Sequence, residues 1–279
     1  MTSLASRSAV FVGARRLDCL RPDDRGLAYG DGLFETMRAH RGDVPWWGAH
    51  WQRLVSGASR LRILVPDEAV VRDEAGRLLD GGDAVLKLVL TRGAGGRGYA
   101  TAPDIAPTWL LSVHGLPPAP REGGLQLRWC GTRLARQPLL AGMKHCNRLE
   151  QVLARAEWPA SGAGAHAFDE GLLLDTDGNV ASAIAANLFV LRGGRWLTPP
   201  VDACGVAGVC RAWLLEAADA VEEVLSPADV DAADAVILSN AVRGILPVAR
   251  LDGRNWPPHP AVASLSRQLA AAHPGFADQ

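Results

Sequence analysis

Two lysines stand out in this chain because arginine supplies almost all of its other positive charge. Of the 29 basic residues, only Lys87 and Lys144 are lysines. Burial can lower the pKa of a lysine amine, and the free amine can form an imine with a carbonyl carbon, whereas arginine stays protonated. The stretch LLAGMKHCNRLEQVLARAEW, residues 139–158, therefore suggests amine chemistry at Lys144. Taken alone the signal is weak, since Lys87 in VLKLVL has no obvious role.

A second candidate feature is a turn with glycines in VDACGVAGVCRAWLLE, residues 201–216. Gly205 and Gly208 come directly before a predicted helix that begins near Val209. The N–H groups of such a turn, together with the positive end of the helix dipole, suit a phosphate group. A tight turn into an ordinary helix explains the same residues equally well.

A third feature is the glycine-rich stretch TRGAGGRGY, residues 91–99, which carries Arg92, Arg97 and Tyr99. An arginine on such a loop can bind a carboxylate through two parallel hydrogen bonds. A solvated hairpin with incidental arginines is the competing interpretation.

Composition limits the possible partners. The formal charge of −1 and the sequence pI near 6.7 give no electrostatic footprint for nucleic acid or an anionic membrane, so the expected ligand is a small molecule. No apolar run has the length of a membrane span, and arginines interrupt the first 18 residues, so we expect a cytoplasmic protein. The five scattered cysteines indicate neither a disulfide framework nor a zinc or other metal site.

The elements that must position these residues indicate an α+β protein of two domains. Short strands and helices mix without regular alternation, and GLPPAPREGG, residues 115–124, has the composition of a linker. We place a smaller domain at 1–117 and a larger one at 118–279. In the larger domain, RLEQVLARAEW carries Leu149, Val152, Leu153 and Ala156 on one helical face, and GVCRAWLLEAADAVEEVL is predicted as a helix over 208–225.

A reactive lysine, a phosphate-binding turn and a carboxylate-binding arginine are together what a pyridoxal phosphate enzyme needs. The order of motifs resembles the fold-type IV pyridoxal phosphate enzymes, both in residues 28–63, AYGDGLFETMRAHRGDVPWWGAHWQRLVSGASRLRI, and in residues 179–216, NVASAIAANLFVLRGGRWLTPPVDACGVAGVCRAWLLE. Within that group, RGAGGRGY and LAGMKHCNRLEQVLAR resemble the aminodeoxychorismate lyases. The branched-chain aminotransferases usually have a tyrosine five residues after the lysine, where this chain has Leu149.

This resemblance implies a homodimer with pyridoxal phosphate bound between the two domains. It implies that Lys144 forms the covalent link to the cofactor and that the hydroxyl of Thr36 assists proton transfer. It assigns Arg97, whose loop can reach the neighbouring subunit, and Tyr29 to the substrate. The residues implied for the cofactor phosphate are Arg53 and the backbone N–H groups of Val206, Ala207, Asn240 and Ala241.

One position departs from the family pattern. Five residues before the asparagine of NLF the family has a glutamate that keeps the pyridine nitrogen of the cofactor protonated, and here that residue is Ser182. Serine can share a hydrogen bond with the nitrogen but supplies no charge.

The resemblance implies a lyase that releases pyruvate from 4-amino-4-deoxychorismate and leaves 4-aminobenzoate, in folate biosynthesis. Two alternatives stay open at this stage. One is an aminotransferase of the same fold for D- or branched-chain amino acids, and the other is a protein that binds the cofactor without catalysis.

Overall fold

The computed structural model describes residues 7–159 and 167–277, which combine helices with two β-sheets. The predicted α+β class is confirmed. These residues form two compact units: the first runs to Pro117 and also includes Met143–Asn147, while the second holds Pro118–Gly142 and the described residues from Arg148 onward. The predicted domain ends at 1–6 and 278–279 lie outside the described residues, and the predicted boundary between residues 117 and 118 stays a prediction.

The first unit is a five-stranded antiparallel sheet with three helices, in the strand order β2-β1-β5-β4-β3. Its strands are β1 (Ser8–Val12), β2 (Arg15–Leu17), β3 (Gly32–Ala39), β4 (Ala84–Thr91) and β5 (Thr108–His114). Its helices are α1 (Arg25–Tyr29), α2 (Trp47–Leu61) and α3 (Glu68–Leu79).

Side chains along strand β3 alternate between a buried face and a half-buried face. Leu33 and Met37 are buried on the face that α2 covers, and Phe34 and Thr36 are half-buried on the other face. Helix α2 approaches β3 closely at Gly57, where an added Cβ would lie 3.1 Å from the Leu33 methyl groups. One face of β3 is therefore fixed by packing, while the other remains accessible.

The second unit is built on a larger mixed sheet. Among the described residues the order is β11-β10-β9-β12-β13-β6-β7-β8, with β14 paired to β13. The strands are β6 (Leu125–Leu134), β7 (Glu170–Asp175), β8 (Val180–Ala183), β9 (Asn187–Arg192), β10 (Arg195–Thr198), β11 (Val221–Glu222), β12 (Ala235–Asn240), β13 (Gly244–Leu251) and β14 (Arg254–Asn255). The helices are α4 (Leu149–Arg155), α5 (Val209–Ala217), α6 (Pro227–Asp231) and α7 (Pro260–Ala272), followed by a short 3₁₀ helix at Pro274–Phe276.

Alternate side chains of the central strands form the core of this unit. These residues are apolar and nearly fully buried, and they include Leu125, Leu127, Leu172, Leu188, Val190, Val236, Leu238, Leu246 and Val248. Within the described ranges, no helix is both long and apolar enough to cross a membrane.

One predicted helix is shorter in the structure, and another is confirmed. Helix α5 ends at Ala217, because Asp219 adopts a left-handed conformation with φ of 46° and Val221–Glu222 pairs with β10 instead. The prediction of a helix to residue 225 was therefore wrong. Helix α4 exists, but its apolar face is exposed in the single chain, with Leu149 76% exposed and Leu153 61% exposed.

The loop that carries the glycine-rich motif is tied to α1 through Asp31. Arg25 Nε donates to Asp31 at 3.0 Å, and Arg92 Nε donates to the same carboxylate at 2.7 Å. Arg92 also donates to the carbonyl groups of Leu61 and Arg62 at the end of α2. Arg92 therefore stabilises the fold of this unit. The sequence pattern suggested that it binds a substrate carboxylate, but in the structure its partners are Asp31 and two backbone carbonyl groups.

We expect Asp31→Asn to lower the free energy of unfolding by about 3 kcal/mol, because it leaves two poorly exposed guanidinium groups without their counter-ion. Burial alone would raise the pKa of Asp31, but hydrogen bonds and charges of Arg92 and Arg25 lower it overall. The difference from wild type should thus be constant near neutral pH. It should shrink as the pH falls below about 4, where Asp31 of the unfolded chain binds a proton first, and vanish once the pH passes the lower pKa of the folded state.

Urea titrations of both proteins across this pH range measure the effect. The control is Asp80→Asn, which removes an exposed carboxylate and should leave stability near that of wild type. Equal stability of Asp31→Asn and wild type at neutral pH would contradict the assigned role.

Candidate active site

Lys144 is fixed to the edge of the first sheet by its own backbone. The N–H of Phe34 donates to the carbonyl of Lys144 at 2.9 Å, and the N–H of Cys146 donates to the carbonyl of Gly32 at 2.9 Å. The segment Met143–Asn147 thus pairs briefly with β3 as an additional strand would. The Lys144 amine lies 4.4 Å from the centre of the Phe34 ring, which places it against the accessible face of β3.

Thr36 lies on the same face, two residues along β3 from Phe34. In the antiparallel register it stands opposite Lys87 of β4. The amine of Lys87 lies 5.4 Å from the centre of the same Phe34 ring. The structure therefore brings both lysines of the chain to one aromatic side chain, which the sequence pattern did not reveal.

Arg53 is held by a buried carboxylate on the opposite face of β3. Its Nε donates to Glu35 Oε1 at 2.8 Å, and its Nη2 bonds Glu35 Oε2. His50 Nδ1 lies 2.6 Å from Glu35 Oε2. Glu35 and His50 are each about 1% exposed, whereas the Arg53 side chain is 13% exposed.

The charge state of this cluster follows from its burial and its hydrogen bonds. Burial alone would raise the pKa of Glu35, but hydrogen bonds from His50 and Arg53 lower it overall, so the group is a carboxylate. Burial lowers the pKa of His50, so the imidazole is neutral and donates its Nδ1 proton to Glu35. Arg53 is the cation that balances Glu35, and the cluster orients a guanidinium group of the kind that binds phosphate.

In the second unit, the turn at residues 205–208 is held by Asn187 at the start of β9. Asn187 Nδ2 donates to the carbonyl of Val206 at 2.9 Å, and an added Cβ on Gly208 would lie 2.1 Å from Asn187 Oδ1. Helix α5 follows directly, with Gly208 as its N-cap and no side-chain cap. The predicted glycine turn therefore leads into the start of a helix.

Part of this turn is already hydrogen-bonded. The N–H of Ala207 donates to the carbonyl of Gly142 at 3.0 Å, and the N–H of Gly142 donates to that of Gly205 at 3.1 Å. The N–H of Ala207 could donate to a phosphate only if it also kept, or gave up, its hydrogen bond to Gly142. The phosphate roles implied for Val206 and Ala207 stay predictions.

Asn240 shapes the turn between β12 and β13. Its Oδ1 accepts from the N–H groups of Val242 at 3.0 Å and Arg243 at 2.8 Å, and its Nδ2 donates to the carbonyl of Ala185 at 3.3 Å. This side chain therefore fixes the backbone around Ala241. The phosphate contacts implied for Asn240 and Ala241 stay predictions.

Ser182 is buried on β8, in register with Leu173 of β7. A carboxyl group on the same sheet is Glu170, at the start of β7. Burial raises the pKa of Glu170 to about 7, although the N–H groups of Gly171, Ile184 and Ala185 donate to it and lower it. Glu170 is thus engaged with the backbone at the end of β8.

Tyr29 contacts the glycine-rich loop. Its hydroxyl accepts from the N–H of Gly98 at 3.0 Å, and the Arg25 guanidinium lies 4.8 Å from the centre of its ring. Arg97, in the same loop, is exposed. Gly30, which follows Tyr29, accepts a hydrogen bond from Asn147 at 3.3 Å, so the segment that bears Lys144 adjoins the end of α1.

Sequence reasoning missed Glu35, His50 and Lys87. His50 and Arg53 are three residues apart on α2 and face one side, which was a usable signal for a paired function. Glu35 occupies a buried position of β3 among apolar residues, and such a position for a carboxylate indicates a fixed partner. Lys87 shared the scarcity of lysine with Lys144, but its neighbours on the accessible face come from other strands, so no local pattern assigned it a role.

Comparisons with known proteins agree with this arrangement. The model of the family described as amino-transferase class IV matches residues 32–251. The chain is 34% identical to an aminodeoxychorismate lyase of Vibrio harveyi over 88% of this chain and 92% of that protein. It is also 34% identical to a putative branched-chain-amino-acid aminotransferase of Methanocaldococcus jannaschii, over 83% of this chain and 82% of that one.

Among solved structures, the 4-amino-4-deoxychorismate lyase of Pseudomonas aeruginosa is similar over 95% of this chain and 99% of that chain. The TM-score is 0.86 and the sequence identity is 43%. Because the family model and a relative above 30% identity both span most of the sequence, the chain belongs to the class IV aminotransferase family, with the fold-type IV architecture.

Proposed function

We propose that this chain is a pyridoxal phosphate-dependent lyase that converts 4-amino-4-deoxychorismate to 4-aminobenzoate and pyruvate. The observation that carries the proposal is the 43% identity to the Pseudomonas aeruginosa lyase over almost the whole chain. The Vibrio harveyi lyase supports it independently. A place in folate biosynthesis follows from the product, and the cytoplasmic location stays a prediction.

Pyridoxal phosphate is the cofactor of this family, and the side chains described above fit its chemistry. Its aldehyde requires an amine, which Lys144 supplies. Its phosphate requires positive charge and N–H donors. Arg53 carries a guanidinium group of the kind that would bind phosphate, and the turn at residues 205–208 leads into a helix N-terminus, which is also of a kind that would bind phosphate. Ser182 would share a hydrogen bond with the ring nitrogen.

The bound cofactor would withdraw electrons from the carbon that carries the substrate amine, which makes the proton on that carbon acidic. The Lys144 amine then removes this proton as a general base. The bond between the adjacent carbon and the enolpyruvyl oxygen breaks, and the six-membered ring becomes aromatic. The departing enolate gains a proton and becomes pyruvate, and the hydroxyl of Thr36 on the same face assists this proton transfer.

Ser182 favours elimination over transamination. Elimination expels the electrons with the leaving group at once, so it depends little on a positive charge at the pyridine nitrogen. Transamination would depend more strongly on a carboxylate partner for the ring nitrogen of the bound cofactor. A serine at this position therefore agrees better with a lyase.

An aminotransferase is the second candidate, and the Methanocaldococcus jannaschii relative favours it. The wild-type protein with its cofactor should release pyruvate from 4-amino-4-deoxychorismate without any added keto acid. Lys144→Ala and Lys144→Arg should both lose this turnover and the visible absorbance of the lysine-linked cofactor, because neither side chain forms the imine. Turnover that depends on a keto acid would favour the aminotransferase.

Ser182→Glu should raise the ratio of transamination to elimination by about tenfold, which corresponds to about 1.4 kcal/mol. The added carboxylate would pair with the pyridine nitrogen and keep it protonated. Pyruvate and the aminated cofactor, measured in single turnovers, give the ratio. Ser182→Ala adds no charge and is the control, and an unchanged ratio in Ser182→Glu would refute the interpretation of this position.

We also propose that the chain is a homodimer, as the resemblance implies. Its support is the exposed apolar face of α4, which carries Leu149, Val152 and Leu153, since such patches mark interaction surfaces. Sedimentation equilibrium should give about twice the chain mass of 29.6 kDa. Leu153→Glu should dissociate the dimer because it introduces a charge into the interface, and a monomeric wild-type protein would exclude the proposal.

A further inference from the structure

Lys87 occupies a position that the proposed mechanism does not use. It lies in the middle of β4, half-buried on the accessible face of the first sheet. Its amine lies 5.4 Å from the centre of the Phe34 ring, and the Lys144 amine lies 4.4 Å from that same centre. The two lysines of the chain are therefore neighbours, although 57 positions separate them in the sequence.

The residues directly opposite Lys87 in the sheet are polar but uncharged. In the sheet register it stands opposite Thr36 of β3 and Ser112 of β5, whose side chains lie on the same face. Among residues 7–159 and 167–277, no carboxylate lies within 4.0 Å of its ammonium group. A half-buried ammonium beside an aromatic ring, hydroxyl groups and a second lysine loses much of its hydration without gaining a counter-ion.

Three poorly exposed arginines of this unit, unlike Lys87, each bind a carboxylate of the protein. Arg25 and Arg92 share the carboxylate of Asp31, and Arg53 is bound by Glu35. A purely structural position on β4 would be filled by an apolar residue such as Val89, which lies two residues along the same face. The lack of a protein counter-ion at Lys87 indicates that an anion arrives with the ligand.

We propose that Lys87 is a substrate-binding residue that receives a carboxylate of the substrate. The inference rests on the proposed function, because 4-amino-4-deoxychorismate carries two carboxylates on a small ring. The ring amine must come close to Lys144, so a carboxylate of the same molecule falls within reach of the neighbouring ammonium. Phe34 adjoins both amines and offers an apolar surface for the six-membered ring.

The test compares Lys87→Met with wild type, both loaded with cofactor. Loss of a charge-assisted hydrogen bond should raise the KM for 4-amino-4-deoxychorismate roughly ten- to a hundredfold, with a much smaller change in kcat. Lys87→Arg keeps the charge and should retain most of the affinity. Arg15→Met removes an exposed cation from β2 of the same sheet and is the matched control for net charge.

Direct binding identifies the carboxylate without relying on turnover. In calorimetric titrations of the same proteins with 4-aminobenzoate and with pyruvate, Lys87→Met should lose at least tenfold in affinity for one of them. Weaker 4-aminobenzoate binding assigns Lys87 to the ring carboxylate, and weaker pyruvate binding assigns it to the enolpyruvyl carboxylate. Unchanged affinity for both products, or a wild-type protein that binds neither, would overturn the inference.

The design separates this inference from the proposed function. Failure of the wild type to release pyruvate counts against the lyase, while the titrations still test Lys87 as a carboxylate ligand. An active wild type with an unchanged KM in Lys87→Met retains the lyase and refutes the role of Lys87. Thermal unfolding of each variant shows whether it is folded, and if Lys87→Met is not, Lys87→Gln replaces it under the same criteria.

Discussion

The pairing of Met143–Asn147 with β3 is the contact on which the chemistry of the first unit depends. Two backbone hydrogen bonds, one to Lys144 and one from Cys146, fix this segment to the edge strand of the sheet. The strand alternates, so one face carries Phe34 and Thr36 while the other lies beneath α2. These hydrogen bonds join backbone groups only. They nevertheless determine that the Lys144 amine lies beside Phe34, on the face that also carries Thr36.

The opposite face of the same strand carries Glu35, the carboxylate that holds Arg53 in place. Glu35 belongs to the buried set of β3, yet it is charged, and it is stabilised there because His50 and Arg53 both donate to it. Each of these two bonds fixes a residue of α2 against the strand. The cluster therefore joins helix packing to the orientation of a guanidinium group, and a change in one would alter the other.

How far the sequence predicts this protein depends on whether a signal is local. The scarcity of lysine singled out Lys144, and glycines before a helical pattern indicated the turn that leads into α5. Contacts between distant strands left no such signal. The sequence could not show that Arg92 is bound by Asp31, since the two are 61 positions apart, or that Lys87 lies beside Phe34. Helix α3 was missed despite Asp67, whose side chain caps its first turn.

Arginine and lysine have separate roles in this chain, and the physical difference between them explains why. A planar guanidinium group forms two parallel bonds with a carboxylate, so the internal ion pairs at Asp31 and Glu35 both use arginine. A lysine amine has no such fixed geometry and can contact an aromatic face from several directions, which leaves its hydrogen bonds available to a ligand. The arginines of these ion pairs stabilise the framework, while Lys87 and Lys144 both contact the ring of Phe34.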